Sequence, residues 1–295
     1  MLQEPAFAKL NLSLDITGRR VDGYHLLSMV NVSISLHDTL SFSRGGEGLQ
    51  VLCKPDSALS AVPGAPNVPE GKDNLVFRAA EVFFQLSGIQ DQDVCIAVQK
   101  RIPSQAGLGG GSADAAAALR GLCRLYGCAI PAPRLCRAAE SIGADVPFCV
   151  QGGTARVEGI GEQLTELPAL PPCWFVVCKP AAGISTAMAY RRADEDGLPP
   201  QRGTPRVEAA LRRGSLAAVG QSLCNAFQTL IPLPETADIR ARLLRAGALG
   251  ACMTGSGSAV FGLFCTKPTA QKALEEVQQK YPCAFLCIPQ DKLQF

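Results

Sequence analysis

Gly107, Gly109, Gly110 and Gly111 crowd into a short loop directly before an alanine-rich run. Glycine has no Cβ, so such a loop bends sharply and brings its amides against a ligand. A helix N-terminus just behind it adds unpaired N–H donors and a partial positive charge. That chemistry is anion binding, and a triphosphate is the anion it suits best. The candidate segment runs through Pro103, Ser104, Gln105, Ala106, Gly107, Leu108, Gly109, Gly110, Gly111, Ser112 and Ala113. It is not a Walker loop, which ends in Gly-Lys-Ser/Thr, because Ser112 and Ala113 follow Gly111. Nor is it the dinucleotide fingerprint, which needs glycine or alanine where Ser112 stands. The plainer alternative is a flexible turn with Ser112 as a helix cap.

Phosphoryl transfer to an alcohol also needs a carboxylate to take the hydroxyl proton and a cation to spread the developing charge. Asp145 and Lys9, each at an element end, are the candidates. Taken singly, Lys9 reads as a solvated strand residue and Asp145 as a turn residue; only together do they suggest catalysis. His25 follows Tyr24 in a glycine turn, a pairing suited to stacking on and hydrogen-bonding a flat ligand or to simple packing. His37, in LHDT, reads as a turn residue. A second glycine-dense stretch, TGSGSAVFGLF from Thr254, fits equally a cover over phosphates and a hairpin turn.

These residues need scaffolding. Leu10, Leu12, Leu14 and Ile16 alternate with Lys9, Asn11, Ser13 and Asp15, the period of a half-buried strand with a polar outer face. TGRRVDGYH reads as a turn into a second strand, His25 to Leu36. Asp73 and Asn74 can cap a helix reaching Ser87, with Leu75, Ala79, Phe83 and Leu86 on one face. Val94 to Lys100 alternates as a strand and leads through the glycine loop into a helix from about Ser112 to Leu125. A shorter helix is expected at Pro133 to Ile142, an exposed loop at 193–206, and mixed helix and strand patterns from 235 onward. The whole reads as a mixed α/β protein of two domains, with a boundary near 155–175.

With 28 basic and 26 acidic residues and no basic stripe, nothing favours a nucleic-acid or membrane surface. No apolar run approaches a membrane span. Thirteen cysteines, an odd number without a secretory leader or paired zinc spacing, point to reduced thiols and a cytoplasmic protein.

Through AKLNLSLDITGRRVDGYH, GLGGGSADAAA, GADVPFC, EGIGE and TGSGSAVFGLF, the chain resembles the galactokinase, homoserine kinase, mevalonate kinase and phosphomevalonate kinase superfamily. The resemblance spans about 5–265. It implies a two-domain α+β fold: a kinase domain, 1–160, with a left-handed βαβ unit, and a ferredoxin-like domain, 161–295. AKLNL together with DGYH is similar to the branch acting on a small cytidyl diphosphate substrate of non-mevalonate isoprenoid synthesis. That implies transfer of the ATP γ-phosphate, with Mg²⁺, to a 2-hydroxyl by a monomer or homodimer. Asp145 would then be the base and Lys9 its cationic neighbour; Asn11 would touch substrate, Tyr24 stack on the cytosine and His25 hydrogen-bond it. Metal ligands are not implied, beyond Ser112 as a candidate. Gln105, Gln228 and Ser258 depart from the family pattern, and Gln228 leaves the role of its position open. The competing readings are another small-molecule kinase of the superfamily, against which DGYH speaks, and an inactive nucleotide-binding sensor.

Overall fold

The structure, a computed structural model, describes residues 1–55, 71–197 and 203–293. The chain opens with two long antiparallel strands, β1 (Leu2–Arg19) and β2 (His25–Arg44), and then β3 (Leu49–Pro55). Helix α1 (Leu75–Ser87) begins where expected because the Asn74 side chain accepts the Val76 N–H at 2.8 Å. Next come β4 (Val94–Lys100), α2 (Gly110–Tyr126), α3 (Ala132–Ala139) and α4 (Val146–Gln151). The hairpin β5 (Thr154–Gly159) and β6 (Gln163–Glu166) follows.

These strands form one sheet, in which β3 runs parallel to β4, β4 and β5 pair with β2, and β2 pairs with β1. The crossover β3–α1–β4 is its βαβ unit, and α2 packs against β1 and β2. His37 is not in a turn. It lies inside β2, which continues to Arg44 because β4 pairs with it from Thr39 onward. Its Nδ1 is 2.8 Å from the Ser35 carbonyl and its ring meets Phe7 edge-on.

The change of sheet falls between Glu166 and β7 (Trp174–Cys178), later than residue 160 because β6 stays bonded to β5. Then come α5 (Thr186–Asp196), α6 (Gly203–Arg212), α7 (Leu216–Ser222), β8 (Cys224–Asn225) and α8 (Ala226–Leu230). The loop expected at 193–206 is thus replaced at both ends by helix; residues 198–202 lie outside the described residues. The chain continues with α9 (Pro234–Arg245), β9 (Gly250–Met253), β10 (Val260–Phe264), α10 (Lys267–Gln278) and β11 (Ala284–Cys287). The second sheet has the order β11-β7-β10-β9, all antiparallel. With α9 and α10 as crossovers, this is the split-βαβ, ferredoxin-like pattern.

The polar face of β1 is not solvated. Lys9, Asn11, Ser13 and Asp15 are as buried as the alternating apolar residues, because later parts of the chain return to cover them. β8 pairs parallel to β1 at Ser13 and Leu14. The Ser13 hydroxyl lies 2.9 Å from that of Thr204, and the Asp15 carboxylate accepts the Thr204 N–H at 2.9 Å. The last described residues also cross back: Pro289 bridges to Ile34 and Lys292 to Gly152.

Among the described residues no helix is long and apolar enough to cross a membrane, and no cluster of three or more His, Cys, Asp or Glu could hold a metal. All thirteen cysteines are free.

Candidate active site

A cleft of about 1150 Å³ is lined by Pro103–Gly111, by Tyr24 and His25, and by Lys9 and Asp145. Ser112 and Ala113, the last two residues of the expected segment, continue α2 beyond the cleft wall.

The glycines are explained by close approach. α2 begins at Gly110, two residues before the expected Ser112, and its cap is Gly109 in the left-handed region, whose carbonyl accepts the Ala113 N–H at 2.8 Å. A Cβ on Gly109 would meet Lys9 Cγ at 3.1 Å, and one on Gly107 (φ +73°) would meet the Thr254 carbonyl oxygen at 2.0 Å. The loop is thus pressed between β1 and the second glycine stretch. That stretch is a hairpin turn between β9 and β10 that also faces the cleft through Gly255, Ser256 and Gly257. It is laced to the loop: Ser258 N–H donates to the Gln105 carbonyl at 3.3 Å and Ala259 N–H to that of Ala106 at 3.2 Å. Gln105 sits at φ +50°, the left-handed region that favours glycine, so it holds a conformation its side chain does not favour. The first N–H groups of α2 have no partners within the helix, which suits them to phosphate oxygens.

Lys9 Nζ lies 3.5 Å from Asp145 Oδ2; the lysine is buried while the carboxylate is one-third exposed to the cleft. Asp145 stands at the N-cap of α4 but makes no capping hydrogen bond, leaving its oxygens for the cleft. Asn11, expected to touch substrate, is enclosed. Its Oδ1 accepts from Lys9 Nζ at 2.8 Å and from the Gly255 N–H at 2.7 Å, and its Nδ2 donates to Asn31 at 2.7 Å. It reaches the cleft only by holding Lys9 and the glycine hairpin. Gln228, whose role the sequence leaves open, supports the same hairpin: Oε1 accepts the Met253 N–H at 2.9 Å, while Asn225 Nδ2 donates to the Gly255 carbonyl at 2.9 Å.

Tyr24 projects from the β1–β2 turn, largely exposed. His25 is buried, with Nε2 2.9 Å from Asp194 and its ring stacked on Tyr190 at 4.7 Å between centroids. Burial pushes the Tyr190 phenol up to about 12, the Asp145 charge adding to it.

Sequence reasoning missed Tyr190 and Asp194, which fell in or beside a stretch read as loop. It also missed a charge triad under the loop, where Lys100 Nζ donates to both Asp38 and Asp114. Burial opposes the Lys100 charge, but Asp114 and Asp38 outweigh it and hold its pKa above the usual lysine value. Burial pushes the Asp114 carboxyl well above the usual range, Lys100 opposing and Asp38 adding. One lysine balances one of two carboxylates, and Asp114 is the one whose neutral form burial favours. Its Oδ1 has no hydrogen-bond partner among the described residues. The only available signal was a charged residue, Lys100, closing an alternating strand.

The description "GHMP kinases N terminal domain" matches residues 74–153 and "GHMP kinases C terminal" matches 207–283. The 4-diphosphocytidyl-2-C-methyl-D-erythritol kinase of Moorella thermoacetica is 43% identical over 96% of each chain. The enzyme of the same name from Symbiobacterium thermophilum is 41% identical over 92% of this chain and 93% of its own. A crystal structure of 4-(cytidine 5'-diphospho)-2C-methyl-D-erythritol kinase superposes with a TM-score of 0.77 at 33% identity, covering 98% of this chain and 99% of that one. A glycine loop at a helix start, a buried lysine beside a carboxylate and these likenesses agree: the chain belongs to the GHMP kinase family, small-molecule kinases that use ATP as phosphate donor.

Proposed function

We propose that this protein transfers the γ-phosphate of ATP to the 2-hydroxyl of 4-diphosphocytidyl-2-C-methyl-D-erythritol, forming the 2-phosphate and ADP. The observation that carries the reading is the Lys9–Asp145 pair at 3.5 Å, in one cleft with an anion-binding loop and an aromatic pocket. The relatives' names supply the substrate.

In this reading the triphosphate lies on the amides of 103–111 and the head of α2, while the cytosine enters beside Tyr24 and His25. The acceptor hydroxyl then falls between Lys9 and Asp145. Asp145 takes its proton as the oxygen attacks the γ-phosphorus, and the Lys9 ammonium offsets charge building on the transferred oxygens. Asn11 contributes by fixing Lys9. Mg²⁺ fits these residues, because it is commonly held by one or two protein oxygens together with substrate phosphates and water. Ser112, the candidate named from the sequence, does not line the cleft, so no protein oxygen is assigned to the ion. When bound, the ion neutralises charge on the β- and γ-phosphates.

The test is a coupled ADP-release assay with MgATP, comparing the cytidyl substrate with homoserine, mevalonate and galactose. Turnover of the cytidyl substrate alone is expected. Turnover of another alcohol would keep the kinase and overturn the roles of Tyr24 and His25; silence with all four would overturn the catalytic reading.

A further inference from the structure

We infer that Arg191 grips the diphosphate of the cytidyl substrate, an inference that rests on the substrate reading above. Ala187, Tyr190, Arg191 and Asp194 all line the cleft, at the i, i+3, i+4, i+7 spacing of one helical stripe. The stripe is anchored at both its ends. At the start of α5 the Thr186 hydroxyl lies 3.1 Å from that of Ser256 in the glycine hairpin. At its end Asp194 meets His25 in the base pocket. About 10 Å of helix separates Ala187 from Asp194, with Tyr190 and Arg191 along the way. A substrate with its base at His25 and its hydroxyl at Lys9 carries its two phosphates between, over this stripe.

Charge makes the assignment specific. The described lining includes the carboxylates of Asp22, Asp73, Asp114, Asp145 and Asp194 but only three Lys or Arg side chains, an unfavourable wall for a diphosphate. Two of those cations are committed: Lys9 to Asn11 and Asp145, Lys100 to Asp38 and Asp114. Arg191 forms no ion pair or hydrogen bond with any described residue, although Asp194 is three positions away, because Asp194 is engaged by Arg19 and His25. Its guanidinium is therefore available, and its planar fork matches phosphate oxygens. Arg192 is outside the cleft lining and pairs with Glu195, so it serves as a control.

Arg191→Ala, Arg191→Lys and Arg192→Ala should be compared with wild type in the full chain. The KM values for ATP and cytidyl substrate are measured separately, and binding of cytidine and CDP by calorimetry without turnover. Arg191→Ala is expected to raise the cytidyl-substrate KM about tenfold or more, the range of a charge-assisted hydrogen bond, while kcat and the ATP KM stay within about twofold. Lysine should restore part of the loss, and the preference for CDP over cytidine should shrink in Arg191→Ala but not in Arg192→Ala. An unchanged cytidyl-substrate KM, or equal losses for cytidine and CDP, would overturn the inference. An inactive wild type would overturn the substrate reading instead, and the two binding measurements would still decide for or against Arg191.

Discussion

At the scale of the residue, position in an element does not reveal what a side chain is free to do. Asp145 occupies a helix cap but makes no capping hydrogen bond, which leaves it available as a base. Asp145→Asn is expected to lower kcat at least ~100-fold with nucleotide affinity nearly intact; near-normal turnover in steady-state assays would remove it from that role. Asn11 was legible as a residue near the chemistry but not as a hub, because its partners at Thr254 and Gly255 lie far along the chain. Asn11→Ala leaves Lys9 and the Gly255 N–H short of a buried partner. It should cost about 1–3 kcal/mol in urea unfolding and also lower kcat. A fully active, equally stable variant would contradict the hub. Tyr24→Ala should act on the cytidyl-substrate KM, stacking being worth roughly 1–3 kcal/mol per base, and leave the ATP KM unchanged.

At the scale of the element, strand–loop–helix order was legible because alternation, glycine and an alanine run are local signals. Helix starts were less so: α2 begins on glycine rather than serine because close packing against Lys9 and Thr254, not capping chemistry, decides what stands there. The polar face of β1 was misread for a related reason. Strand alternation records which residues differ, not what arrives later to cover them, and here it is Thr204, β8 and the glycine hairpin. The two glycine segments therefore behave as one unit. Gly107→Ala puts a methyl 2.0 Å from the Thr254 carbonyl oxygen at a positive φ. It should weaken both nucleotide binding and thermal stability, whereas an alanine variant that binds ATP normally would mean the segments move independently.

At the scale of the whole molecule, the cysteines carry a consequence for pH. Burial pushes the thiols of Cys149, Cys173, Cys252 and Cys287 up to about 12 and those of Cys123, Cys224 and Cys283 up to about 11. In the unfolded chain these thiols release their protons near their ordinary value of 9.0. Between roughly pH 9 and 12 the native state therefore binds more protons than the unfolded state, so stability falls as pH rises through that window. Under reducing conditions the urea midpoint should be lower at pH 10 than at pH 8; equal midpoints would mean the thiols are not held in an apolar interior. Composition pointed to reduced thiols, and seven of the thirteen are buried.

The pairing of β8 with Ser13 and Leu14 sets an order of events during synthesis. The strand that carries Lys9 leaves the ribosome long before β8, yet its edge at Ser13 and Leu14 gains this partner only when Cys224 and Asn225 emerge. At typical elongation rates that interval is roughly 10–40 s. Throughout it the nascent chain leaves the Ser13–Leu14 edge of β1 without this partner, and a chaperone able to cover an open strand would have its greatest effect in that interval.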